Sequence, residues 1–99
     1  MPKRIFTYEE ALAVLPEVQR ITTAAVATVE EMASDDPDDY QRLVTEWADA
    51  ILALDVEVKG LWLVDFDSGA GYYCWKYPEP ALEHFHGYEE GFGGRVKLN

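Results

Sequence analysis

The sequence predicts an α+β fold, in which a two-helix antiparallel hairpin packs on a small antiparallel β-hairpin sheet and an ordered C-terminal tail follows. Apolar residues recur at helical spacing in two segments before residue 55. After Gly60 the pattern changes to short runs rich in aromatic and branched residues, which is typical of strands. A length of 99 residues indicates one domain, spanning residues 1–99.

The first predicted helix starts at Thr7, because Thr7-Tyr8-Glu9-Glu10 has the spacing of a capping box. It continues to about Met32. Apolar residues at steps of 3 and 4 predict its buried face: Val14, Val18, Ile21, Ala25, Val29 and Met32. Pro16 lacks an amide hydrogen and crowds the preceding turn, so we expect a kink there or a separate short first helix.

The second predicted helix starts after "ASDD", with Asp36 as N-cap and Pro37 in the first helical position. It runs to about Leu54. One face of it is apolar and carries Tyr40, Val44, Trp47, Ile51 and Leu54. The loop between the helices is short and acidic, which favours antiparallel packing of the two.

The predicted β-hairpin consists of "LWLVDF", residues 61–66, and "YYCWKY", residues 72–77, joined by the loop "DSGAG". The preceding "DVEVKG", residues 55–60, could add a third strand. Two strands alone are marginally stable, so we expect the sheet to pack on the helices or to pair with another chain. Cys74 and Trp75 are neighbours on one strand and should face opposite sides of the sheet.

The charge and composition restrict the partners. The net charge is −11, from 19 acidic and 8 basic residues, which disfavours nucleic acid and anionic membranes as partners. No stretch approaches the roughly 18 to 20 apolar residues of a transmembrane helix. The single cysteine excludes an internal disulfide and fits a reducing, cytoplasmic location. Most of the negative charge is expected to serve solubility.

The C-terminal tail, "PEPALEHFHGYEEGFGGRVKL", holds the candidate site. Two interpretations of its polar residues are open. In one, Glu79, His86 and Glu90, with Asp65 as a possible addition, bind a divalent metal such as zinc, manganese or iron through nitrogen and oxygen donors. In the other, these groups are structural, and Glu79 or Glu90 pairs with Arg95 through a bidentate contact.

The residues predicted to bind a small ligand are Asp65, Trp75 and Arg95. Asp65 interrupts an apolar strand, so it is either exposed or a buried acceptor that points at Arg95. The spacing of Gly91, Gly93 and Gly94 predicts a turn that sets Arg95 in place. For Cys74, a buried and inert thiol is favoured over a nucleophile, because His86 is its one candidate base.

The tail also resembles a known family. "CWKYPEPALEHFHGYEEGFGGRVKL" is similar to the domain of unknown function 2203 family of uncharacterised bacterial proteins. The matching residues occur in the family's order: Cys74, Trp75, Glu79, His86, Glu90, Gly91, Phe92, Gly94 and Arg95. The chain departs from the family pattern at Pro78 and Phe85, where a glycine and a tryptophan are usual. The resemblance implies a domain type, and no activity comes with it.

Two functions of different class follow. One is a domain that binds a divalent metal or a small ligand through the Glu79, His86, Glu90 and Arg95 cluster. The other is a homodimeric protein-interaction module without catalytic activity. The apolar stripe and the aromatic hairpin together present more apolar surface than one small domain can bury. Such a dimer would form through the helices or a sheet edge. No nucleophile–base–orienter triad is visible, so the sequence leaves enzymatic activity undecided.

Overall fold

A computed structural model describes residues 4–32 and 35–98 of the chain. It contains two helices followed by a five-stranded antiparallel sheet, which confirms the predicted α+β class. The elements are α1 (Tyr8–Glu31), α2 (Pro37–Leu52), β1 (Glu57–Gly60), β2 (Leu63–Asp67), β3 (Tyr72–Lys76), β4 (His84–His86) and β5 (Val96–Lys97), with a short 3₁₀ turn at Phe92–Gly94. Strands that are neighbours in sequence are also neighbours in the sheet. The third strand considered from the sequence is present as β1, and the tail adds β4 and β5.

Helix α1 begins at the predicted capping box. The Glu10 amide donates to Thr7 Oγ1 at 3.1 Å, and the Thr7 amide donates to Glu10 Oε1 at 2.9 Å. The helix continues through Pro16, so the alternative of a separate short first helix is wrong. Proline removes the hydrogen bond to the carbonyl group four residues earlier, at Leu12. Both residues are exposed, so water can bind that carbonyl oxygen.

The buried face of α1 is offset from the predicted one. Its buried residues are Ala11, Leu15, Val18, Thr22 and Val26. The predicted Val14, Ile21 and Ala25 pack at the border of the core and are only partly buried. Sequence periodicity followed a stripe beside the true centre of the face, which includes a threonine. Thr22 is tolerated there because its Oγ1 accepts a hydrogen bond from Trp47 Nε1 at 2.9 Å.

Helix α2 starts as predicted, with the Asp36 side chain accepting from the Asp38 amide at 2.9 Å and Pro37 in the first turn. It ends at Leu52, two residues before the predicted end. Trp47 and Ile51 are buried, whereas Tyr40 at the start of the predicted face is exposed. Within the described residues, no helix is long and apolar enough to cross a membrane.

The sheet has one face against the helices and one face away from them. Val64, Phe66 and Trp75 lie on the helix-facing side and belong to the hydrophobic core. The register pairs Val64 with Trp75 and Asp65 with Cys74. Because side chains alternate along a strand, Asp65 and Cys74 point away from the helices. This confirms that Cys74 and Trp75 face opposite sides of the sheet.

Candidate metal site

Three side chains with metal-binding atoms meet on the sheet face that points away from the helices. Asp65 on β2 and Cys74 on β3 are direct cross-strand partners, and His86 on β4 pairs with Tyr72, two residues before Cys74 on the same face. All three are buried, with exposed fractions of 1%, 0% and 5%. Neither α1 nor α2 lies on this face, and the chain segment that follows β4 contributes Tyr88, Glu90, Gly91 and Phe92 to the walls above the three residues.

The hydrogen bonds of His86 fix which ring nitrogen is available. Nδ1 lies 2.9 Å from the Gly87 carbonyl oxygen, and Nε2 lies 2.9 Å from Asp65 Oδ2. A carbonyl oxygen only accepts, so Nδ1 carries the hydrogen in that contact. One further proton must then lie between Nε2 and the carboxylate, or a cation must take its place. A histidine that donates from Nδ1 to a carbonyl and presents Nε2 to a carboxylate has the orientation common among metal ligands.

The three ligand atoms are nearly close enough for one ion. One atom from each of Asp65, Cys74 and His86 can be chosen so that no two are more than 4.8 Å apart. Tetrahedral zinc, with its usual bond lengths, separates such atoms by about 3.3 to 3.6 Å. Asp65 Oδ1 is buried and has no hydrogen-bond partner among the described residues. A buried carboxylate oxygen in this state is costly, and a bound cation would satisfy it.

A cavity of about 290 Å³ opens against the cluster. Asp65, Cys74 and His86 form part of its wall. The remaining lining residues are Lys59, Leu63, Tyr72, Tyr88, Glu90, Gly91 and Phe92. Its volume is at the lower limit of small-ligand pockets. The cluster therefore lies between the cavity on one side and the sheet on the other.

An arginine–glutamate pair lies beside the cluster. Arg95 Nη1 is 3.0 Å from Glu79 Oε1, and Nη2 is 2.9 Å from Oε2, which is the bidentate geometry predicted as one of the alternatives for Arg95. Arg95 Nη1 also lies 3.9 Å from Cys74 Sγ. The guanidinium covers the Phe92 ring at 4.1 Å from its centroid. Arg95 therefore contacts residues of the C-terminal tail and also the Cys74 thiol on β3.

The environment of Cys74 disfavours its thiolate. Burial, and after it the neighbouring Asp65 carboxylate, raise the pKa of the thiol to about 12 against the opposing effect of Arg95. The thiol is consequently protonated at neutral pH unless a cation replaces its proton. This agrees with the interpretation of Cys74 as a buried, inert thiol rather than a free nucleophile.

The site residues predicted from the sequence lie in different parts of the structure. Asp65 and His86 meet at the cluster, together with Cys74, which sequence reasoning did not assign as a ligand. Glu79 instead pairs with Arg95, and its Oε2 lies 3.7 Å from His84 Nδ1.

Glu90 lines the same cavity but is not part of the three-residue cluster, and its Oε1 accepts from the Gly87 amide at 3.0 Å. Trp75 lies in the core on the opposite face of the sheet, where its Nε1 donates to the Glu79 carbonyl oxygen at 2.9 Å. A role for these two residues, or for Glu79, in binding a ligand stays a prediction.

Fold and site together define a small α+β domain with a buried aspartate, cysteine and histidine beneath a cavity. A family model described as an uncharacterized conserved protein (DUF2203) matches residues 33–98, and the chain belongs to this family. The family assignment predicted from the tail is thereby confirmed, and the matched range includes every residue of the candidate site. No curated protein and no solved structure matches the chain.

Proposed function

We propose that this protein binds one divalent metal ion, preferentially zinc, through Asp65, Cys74 and His86. The observation that supports the proposal is the convergence of three buried ligand-type side chains, one of which has an unsatisfied carboxylate oxygen. Asp65 Oδ2 is paired with His86, but a buried carboxylate oxygen without a hydrogen bond, such as Oδ1, is unfavourable, and a cation at the cluster would satisfy it. The negative net charge of the chain also raises the local concentration of cations.

The donor set favours zinc over manganese, one of the other metals considered from the sequence. Thiolate and imidazole ligands suit zinc, whereas manganese prefers carboxylate, carbonyl and water oxygens. Asp65, Cys74 and His86 would occupy three positions of a tetrahedral ion. The fourth would face the cavity and accept water or a small ligand. Three protein ligands with one open position are the arrangement of catalytic rather than structural zinc sites.

Metal stoichiometry in a site variant and a surface variant tests this proposal. The protein is stripped with a chelator, loaded with zinc, passed over a desalting column and measured by elemental analysis. We expect one zinc ion per chain for the unmodified protein and for Gln41→Ala, and a loss of most of the zinc for His86→Ala. Gln41 is the control because it is an exposed polar residue on α2, outside the three-residue cluster. Equal zinc in both variants, or none in the unmodified protein, contradicts the proposal.

A homodimeric interaction module is the second candidate function. It is supported by exposed apolar side chains near the edge of the sheet, where Val96 on β5 is 60% exposed and Phe92 and Tyr88 are also exposed. A second copy that paired with this edge would cover them. Sedimentation at several protein concentrations, with Val96→Lys as the edge variant, tests it. A dimer that dissociates in the variant supports the module, and a monomer at all concentrations contradicts it.

The cytoplasm is the proposed location of either form, because the one cysteine is free and buried.

A further inference from the structure

Arg95 is held in place more firmly than an ordinary tail residue. Both of its terminal nitrogens contact Glu79, and Glu79 Oε1 also accepts from the Lys76 amide at 2.8 Å. The prolines on either side of Glu79 restrict its backbone. The Arg95 and Glu79 side chains are only 12% and 22% exposed. A planar guanidinium with this support has one orientation.

The same guanidinium is directed at the proposed ligand Cys74. The Nη1 to Sγ distance of 3.9 Å is long for a neutral thiol, which is a weak acceptor. A metal-bound thiolate carries negative charge and accepts hydrogen bonds more strongly. The hydrogen bond from Arg95 to the Cys74 sulfur is therefore strongest when a metal is bound. The Glu79 carboxylate neutralises the charge of Arg95 without contacting the sulfur itself.

We infer that Arg95 is a positioning residue of the metal site, which donates from Nη1 to the Cys74 sulfur and is held there by Glu79. This inference rests on the proposed metal site. A donor on the sulfur withdraws electron density from the metal–sulfur bond and orients the thiolate. Groups that orient metal ligands in this way typically change metal affinity by about 10- to 100-fold when they are removed. In this role Glu79 supports Arg95 and is not itself a metal ligand, in contrast to the prediction from the sequence.

Cobalt is the probe for this role, because a cobalt–thiolate bond gives a charge-transfer absorption that zinc lacks. A hydrogen bond to the sulfur lowers the energy of its lone pair and moves this band to shorter wavelength. In Arg95→Met we expect the band to move to longer wavelength and the cobalt affinity to fall by about 10- to 100-fold. Arg95→Lys should restore part of both changes, because it keeps the charge and loses the bidentate geometry. Glu79→Gln should shift the band in the same direction as Arg95→Met, by a smaller amount.

Arg42→Met is the matched control, since Arg42 is an exposed arginine on α2 that pairs with acids of its own helix. Its spectrum and affinity should equal those of the unmodified protein. If the unmodified protein shows no thiolate band with cobalt, the proposed function fails and the inference fails with it. If the band is present but identical in Arg95→Met, the metal site stands and the role of Arg95 is refuted. Should Arg95→Met fail to fold by circular dichroism, an unchanged band in both Arg95→Lys and Glu79→Gln refutes the role.

Discussion

Replacement of Asp65 by asparagine should remove most of the stabilisation that zinc gives the protein. The two side chains have nearly the same shape, so the cavity is kept while the buried carboxylate becomes a neutral amide. At free zinc equal to 100 times the dissociation constant, the unmodified protein gains about 2.7 kcal/mol in its free energy of unfolding. For a domain of this size that is a rise in Tm of about 11 to 22 °C.

The expected loss follows from the same relation. If the asparagine weakens binding by about 100-fold, the same free zinc only half-saturates the variant, and the gain falls to about 0.4 kcal/mol, or about 2 to 3 °C. Thermal melts by circular dichroism, in chelator and then in buffered zinc at one pH, measure both values. Asp49→Asn, at an exposed position on α2, is the control and should keep the full zinc shift. A zinc shift in Asp65→Asn equal to that of the unmodified protein would refute the assignment of Asp65 as a ligand.

Three further predictions concern the helix core, the hairpin loop and the Glu79–Arg95 pair. Thr22→Val removes the acceptor of the buried Trp47 N–H and should cost about 1 to 3 kcal/mol in urea unfolding. Gly71→Ala would place a Cβ 2.7 Å from a backbone oxygen of β4, so it should destabilise by about 1 to 3 kcal/mol in the same assay. Desolvation would raise the pKa of Glu79, but hydrogen bonds from Arg95 and a backbone amide outweigh it and lower the pKa. Because the folded pKa is below the unfolded one, the pair stabilises the protein above about pH 4.3, the ordinary glutamate value, and the difference in stability between the unmodified protein and Glu79→Gln should shrink as the pH falls below it.

The two packing predictions each have a control in the same chain. Thr23→Val changes the exposed threonine next to Thr22 and should leave the urea midpoint within about 0.5 kcal/mol of the unmodified protein. Gly93→Ala adds a methyl group where no atom lies within 4 Å and should be equally mild. An exposed threonine or an open glycine that proves as costly as its buried counterpart would contradict the packing described. A stability difference for Glu79→Gln that does not change with pH would contradict the lowered pKa.

The helices and the central hairpin could be predicted because their signals are local. Thr7 and Glu10 are three residues apart, and Asp36 and Pro37 are adjacent, so capping chemistry alone locates both helix starts. The position of Thr22 at the centre of the buried face could not be predicted in this way. Its burial depends on Trp47, 25 residues later, and periodicity carries no information about that hydrogen bond.

The metal cluster depends on a register that loop length decides. A five-residue loop at 67–71 would place Asp65 opposite Tyr73, whereas the structure pairs Asp65 with Cys74 because Asp67 still belongs to β2. A shift of one residue moves every side chain of a strand to the other face relative to its partner. The signal that could have located the site is the alternation of Leu63, Asp65 and Asp67 with core residues along β2.

The two last strands were missed for a different reason. Strand β4 has three residues and β5 has two, and both lie in a segment rich in glycine and charge. Neither has enough apolar alternation to indicate a strand by itself. The pairing of β4 with β3, and of β5 with β4, stabilises strands that the local sequence does not indicate. His86 comes to lie beside Asp65 through that pairing alone.

X-ray absorption at the zinc edge of the loaded protein is the most direct test of the metal site. It reports the atoms bound to the ion. The proposed site predicts one sulfur at about 2.3 Å, from Cys74, with nitrogen and oxygen atoms at about 2.0 to 2.2 Å. A shell of nitrogen and oxygen atoms without sulfur would mean that zinc binds elsewhere on this acidic chain, and the cluster of Asp65, Cys74 and His86 would then not be a metal site.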